Sequence, residues 1–154
     1  QLTSVAISVA AQTALKATVT KADSSAAASS ADSSAAAGSD SVTWRDANGA
    51  DVTGNTDMTD LISEICGLTI DHCEDYKPSA KAVSICGFDS PKCTLSVNYT
   101  DESGAAAGFA LTVANKTADG SSYYVRLNND TTIYAVKTDA LAKLLQVAAS
   151  GLTK

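Results

Sequence analysis

Residues 109–145 set the tightest limit on what this chain can fold into, because strand, turn and helix signals follow one another there without a break. Phe109, Leu111 and Val113 alternate with small or polar residues, the period-two mark of a half-buried strand. Residues 115–122 form a turn cluster, and residues 123–127 a second strand of aromatic and branched side chains. Asn128, Asn129 and Asp130 supply the next turn, since Asn and Asp tolerate left-handed backbone and bond their own main chain. Residues 132–136 form a third strand. Thr138 then caps a helix whose apolar face is Leu141, Leu144, Leu145 and Ala148. The series predicts a β-meander closed by a helix.

The first half of the chain repeats that order. Val5, Ile7 and Val9 alternate with small partners, and Leu15, Ala17 and Val19 resume the pattern, which predicts a hairpin although its turn lacks Asn-Gly or Asp-Gly. A Ser/Ala-rich loop occupies residues 22–41, with ADSSAAA twice, nine residues apart; it reads as a long solvated hairpin loop, or alternatively as a glycosylated or wall-spanning spacer. Val42 and Trp44 mark a third strand, and Asn48-Gly49 turns it. Asn55, Thr56 or Asp57 caps a helix bearing Met58, Leu61, Ile62 and Ile65 on one face, with Gly67 at its end. The expected fold class is therefore α+β: two pseudo-repeated antiparallel meander-plus-helix units, their helices packed on one face of the sheet. Residues 1–73 make the first unit, 94–154 the second, and 74–93 a connector with a short helical turn near residues 81–85.

The runs LTVANKTADGSSYYVRLNNDTTIYAV (111–136) and TDALAKLL (138–145) resemble the bacterial family catalogued as domain of unknown function 4340. So does DYKPSAKAVSICGFDSPKCTLSVNYTDESG (75–104), where a short helix leads to Gly87-Phe88, Pro91 and a strand over residues 94–100. The chain departs from that family at Cys86, where an aromatic is usual, and in the small residues of 105–107. The resemblance implies an extracytoplasmic domain, often held behind an N-terminal membrane anchor in bacterial envelope proteins. It brings no catalytic residue and no cofactor to carry over.

Lys and Arg number 11 against 17 Asp and Glu, a net charge of −6, which argues against nucleic acid and against an anionic membrane surface as partners. No run approaches the roughly 18–20 apolar residues of a membrane span, and Gln1-Leu2-Thr3 is neither a signal peptide nor a lipidated cysteine. The expected location is extracytoplasmic, secreted or anchored through a segment absent here.

Four cysteines, Cys66, Cys73, Cys86 and Cys93, fall in a C-x6-C-x12-C-x6-C spacing at the junction of the two units. Three readings compete: two disulfides, of any of three connectivities; two buried free thiols, Cys66, which extends the helix face from Ile62, and Cys86, which the resemblance places where the family has a core aromatic; or a metal site with His72, which the six-residue gaps disfavour. His72 is the one histidine, and its neighbour Cys73 is poorly placed in sequence to be its nucleophile. Asp57 with Asp60, Asp71, Glu74 with Asp75, and Asp101 with Glu102 fall at caps and turns, where carboxylates do structural work. The glycines form no phosphate loop, and residues 51–60 miss the calcium-loop spacing. Sequons stand at Asn98, Asn115 and Asn129. Tyr123 and Tyr124 point to opposite faces of one strand, so that an exposed tyrosine beside Arg126 makes a candidate surface for a glycan or a protein partner; the alternative is cross-strand packing.

No assembled catalytic chemistry is legible. The leading expectation is a non-catalytic interaction or structural module of a bacterial envelope-associated protein, with a protein or envelope component as partner and no cofactor or metal. The alternatives are a self-assembling surface fibre or adhesin subunit, whose small-residue first strand and long Ser/Ala-rich loop add to a neighbouring sheet, and a thiol-dependent enzyme using Cys73 or Cys86.

Overall fold

Alternation along the strands decides the layering. In a computed structural model, which describes residues 1–21, 42–128 and 130–153, eight strands form one sheet in the order β3-β2-β1-β5-β6-β7-β8-β4. The strands are β1 (Leu2–Val9), β2 (Gln12–Lys21), β3 (Val42–Asp46), β4 (His72–Asp75), β5 (Cys93–Thr100), β6 (Ala106–Lys116), β7 (Ser122–Leu127) and β8 (Ile133–Lys137). All neighbours are antiparallel. The expected α+β class and the antiparallel meanders are present. The Ser/Ala-rich loop lies outside the described residues.

Cross-strand partners share a face, so the register sorts the side chains. Ile7 pairs with Leu15 on one side and Leu95 on the other, and Leu95 pairs with Leu111. Val5 likewise joins Ala17 and Val97. These residues are buried in one core with Val113, Val125 and Val136. Two helices cover that face: α1 (Thr56–Cys66) contributes Met58, Leu61 and Ile65, and α3 (Ala142–Ser150) contributes Leu144 and Val147. The core draws on both halves of the chain, which meet at the central β1/β5 pair.

The β1–β2 hairpin shows why its turn signal was missing. Ala10 and Ala11 take φ values of 47° and 65°, the left-handed pair of a two-residue hairpin turn that Asn and Gly ordinarily fill. The flanking pairing, not local preference, imposes that backbone.

Helix α1 begins as expected: Asn55 accepts from the Met58 N–H at 3.1 Å, and the Gly67 N–H bonds Ser63 O at its end. Helix α3 does not. Thr138 makes no capping bond; its hydroxyl donates to Gly120 O at 3.1 Å, and a 3-10 turn (Asp139–Leu141) intervenes. The α3 N-terminus is capped by α1, whose Glu64 carboxylate accepts from the Lys143 and Leu144 N–H groups at 2.9 and 2.8 Å. Asp57 and Asp60, on the same helix, bind Lys143 Nζ at 2.8 and 3.2 Å. Asp57 also takes the Thr153 N–H at 2.8 Å and its hydroxyl. Lys143 first, then Thr153, holds the Asp57 carboxyl well below the usual carboxylate range.

The connector contains more order than its sequence promised. Its helix α2 (Ala80–Ile85) is capped by Ser79, and β4 precedes it as a strand where a loop was expected. Helix α2 lies on the opposite face from α1 and α3, over Ile133 and Tyr124. Gly87 permits that docking. Its φ is +87°, and a Cβ there would collide with the Asn115 side-chain amide, while Asn115 N–H bonds Cys86 O at 2.9 Å.

Candidate functional site

The two edges of the sheet are finished differently. Residues 50–53 fold back over β3: Val52 N–H donates to Trp44 O at 2.9 Å, Thr53 Oγ1 accepts from the Trp44 N–H at 2.8 Å, and Asp46 N–H donates to Ala50 O at 3.0 Å. Among the described residues no segment covers β4 in this way. Its edge is short, irregular between Cys73 and Asp75, and charged, features that discourage indiscriminate strand pairing.

Around that edge stand all of the large exposed apolar side chains of the described residues: Ile70 at 41 % exposure, Tyr76 at 69 % and Ile85 at 68 %. Single exposed apolar residues are ordinary, but here they are confined to residues 70–85, the stretch that contains β4 and α2. Sequence reasoning missed Tyr76 and Ile85. The segment 70–79 has no alternation, and Ile85 ends a helix too short to display a face.

Beside β4 lies a polar groove of about 450 Å³. Ser122, Tyr124 and Lys137 form its floor, and Asp119 and Ser121 its far wall. His72 bridges two carboxylates, with Nδ1 at 2.9 Å from Asp71 and Nε2 at 3.0 Å from Glu74; Lys137 Nζ is 3.4 Å from Asp71. Asp71, then Glu74, raises the His72 pKa above 6.5, and His72 in turn lowers that of Asp71. The hydroxyls of Thr117 and Ser121 bring Asp119 to about 2. His72, Asp71, Glu74 and Lys137 are thus paired with one another, and Asp119 with Thr117 and Ser121.

The four thiols are unbridged and dispersed. Cys66 ends α1 and Cys73 lies on β4; both are exposed. Cys93 pairs with Val113 on the helix-covered face and is 1 % exposed. Cys86 is buried on the other face, among Ala82, Tyr124 and Ile133. The sheet therefore separates Cys86 from Cys93. Cys73 and Cys93 are four strand spacings apart, about 19 Å, well beyond disulfide reach. The expectation of two disulfides thus finds no counterpart here, because the clustering in sequence is undone by the topology. Burial raises the Cys86 pKa and takes that of Cys93 to about 11, the reverse of an activated nucleophile. Cys73 pairs with Tyr134 and His72 with Ala135, so they point to opposite faces and form no dyad. Among the described residues no three His, Cys, Asp or Glu side chains gather as a metal site.

The tyrosine surface also divides. Tyr123 is turned to the helix-covered face and is 8 % exposed, under Lys116, and so is not a partner surface. Tyr124 is half-buried on the other face. Arg126 shares that face but stacks its guanidinium on Phe88 at 4.5 Å, and its buried Nε has no hydrogen-bond partner among the described residues. Sequons Asn98 and Asn115 are exposed on β5 and β6; Asn129 lies outside the described residues.

No protein-family model, curated protein or solved structure matches the chain, so the resemblance over residues 75–145 rests on its own residues.

Proposed function

We propose that this chain is a non-catalytic interaction or structural module, acting outside the cytoplasm as part of a bacterial envelope-associated protein. The observation that carries the reading is the confinement, among the described residues, of large exposed apolar side chains to residues 70–85, around the β4 edge that no other described segment covers. The family resemblance supports the location, and the recurring order of meander then helix supports a pseudo-repeated origin of the two halves. A thiol enzyme is disfavoured by the high pKa of Cys86 and Cys93 and by the divergence of His72 from Cys73. A fibre built by donating β1 is disfavoured because β1 is paired on both edges, to β2 and β5.

A photo-crosslinking amino acid placed singly at Tyr76, Ser96 and Lys16, in intact cells of the source, tests this. One dominant foreign adduct from any of these positions supports the module. Absence of adducts from all three sinks it.

A further inference from the structure

Resting on that interaction reading, we propose that the pocket between α2 and β4 is a docking site for an extended, cationic protein segment that inserts one aliphatic side chain. The pocket, of about 220 Å³, is floored by Ile133, Cys86 and Tyr124 and walled by Ala82 and Ile85. Ile133 is fully buried beneath it, and the apolar surface left accessible to an inserted side chain belongs to Ala82, Ile85 and Tyr124. Sites for drug-sized ligands run to about 300–1,000 Å³; this one has room for a side chain instead. Ile85, two-thirds exposed at its lip, has apolar surface to gain from being covered.

Charge decides the occupant. The two charged side chains lining the pocket are both carboxylates, Glu74 and Asp75. Each uses one oxygen internally: Glu74 Oε2 faces His72 at 3.0 Å, and Asp75 Oδ1 accepts the Lys77 N–H at 3.1 Å. Among the described residues, Oε1 of Glu74 and Oδ2 of Asp75 accept no hydrogen bond. Lys77 and Lys81 belong to the same segment, yet neither forms an ion pair with these carboxylates; the Lys77 ammonium sits 5.4 Å from the centre of the Tyr76 ring. Both carboxylates act on the Cys86 thiol, pushing its pKa in the same direction as burial does; Arg126 acts the opposite way, but its side chain is stacked on Phe88 and does not line the pocket. An apolar hole under two under-used anionic oxygens, at an uncovered strand edge, fits an aliphatic side chain flanked by lysine or arginine.

The test is amide chemical-shift mapping on the full chain with three pentapeptides of alternating composition: Lys/Leu, Lys/Ser and Glu/Leu. The Lys/Leu peptide is expected to shift Ala82, Ile85, Cys86 and Tyr124, and to lose about tenfold in affinity in Ile85→Ser. That substitution is at an exposed position and leaves the fold intact. Glu74→Gln with Asp75→Asn is expected to remove the preference for Lys/Leu over Glu/Leu. Equal binding of Lys/Ser or Glu/Leu by the unsubstituted chain, or shifts centred elsewhere, overturns the proposal. Concentration-dependent self-association abolished by Ile85→Ser also overturns it, by making a second copy the occupant. If crosslinks form from Ser96 or Lys16 while the Lys/Leu peptide fails, the docking site falls and the module reading stands.

Discussion

The two faces of the sheet are made by alternate residues of the same strands, yet they have opposite characters. On β1 and β5, Val5, Ile7, Leu95 and Val97 face α1 and α3 and are buried. Between them, Ser4, Ala6, Ser8, Thr94, Ser96 and Asn98 form the other face, none of them buried, joined across strands by contacts such as Asn98 Nδ2 to Ser4 Oγ at 2.8 Å. Among the described residues, this second face buries apolar groups only toward β6, β7 and β8, where α2 docks, namely Ala114, Ile133 and Ala135. The described part of the opposite face thus carries one small patch of cover, against a full layer of helices on the first.

That contrast is open to attack in order of expected effect. Leu61→Ala, on the helix-covered side, should cost about 2–5 kcal/mol by denaturant unfolding, whereas Ser96→Ala on the open face should stay within about 0.5 kcal/mol. Equal losses would erase the distinction. Gly87→Ala forces a left-handed backbone and a collision with Asn115, and should cost about 1–3 kcal/mol. Hydrogen exchange should show the loss confined to α2 and its contacts; a global loss would make the α2 patch part of the main core. Glu64→Ala strips the N–H groups of α3 of their acceptor and should cost about 1 kcal/mol, a capping-sized effect.

The smallest effect is the dependence on pH at β4. His72 has its pKa raised by Asp71 and Glu74, so its contribution is complete below 6.5, the ordinary histidine value, and fades as pH rises through the raised value. Asp71, depressed chiefly by His72, withdraws its own contribution at the acid end, as pH falls through its lowered value. Exchange protection of β4 should therefore pass through a maximum between those limits. A flat profile in the unsubstituted protein, or one unchanged in His72→Asn, would remove the histidine from the account.

Sequence patterns made the order of strands and helices outside the connector legible because alternation and capping are local signals: Leu111 and Val113, or Asn55 before Met58, announce themselves within a few residues. The connector was legible only in its helical turn, which is α2. β4 spans four residues of mainly charged character and is a strand only because β8 offers it an edge. The α3 cap was equally hidden, since Glu64 lies 79 residues before the N–H of Lys143 and no local window contains both. The cysteines misled for the converse reason: nearness in sequence carried no information about which face of the sheet each would occupy. The candidate site suffered most, because Tyr76 and Ile85 are notable only for remaining uncovered after everything else has packed.

The central β1/β5 pair has a consequence for the order in which the molecule can be completed. β1 finds β2 at once, across a two-residue turn, but its other partner begins at Cys93. A chain emerging N-terminus first, from a ribosome or through a membrane, therefore presents β1 with a bare edge until more than half of the sequence has followed. Closure over so long a separation is slow relative to hairpin formation. Throughout that interval the nascent half is a ready acceptor for any stray strand, and a chaperone that shields residues 2–9 would act at the point of greatest exposure.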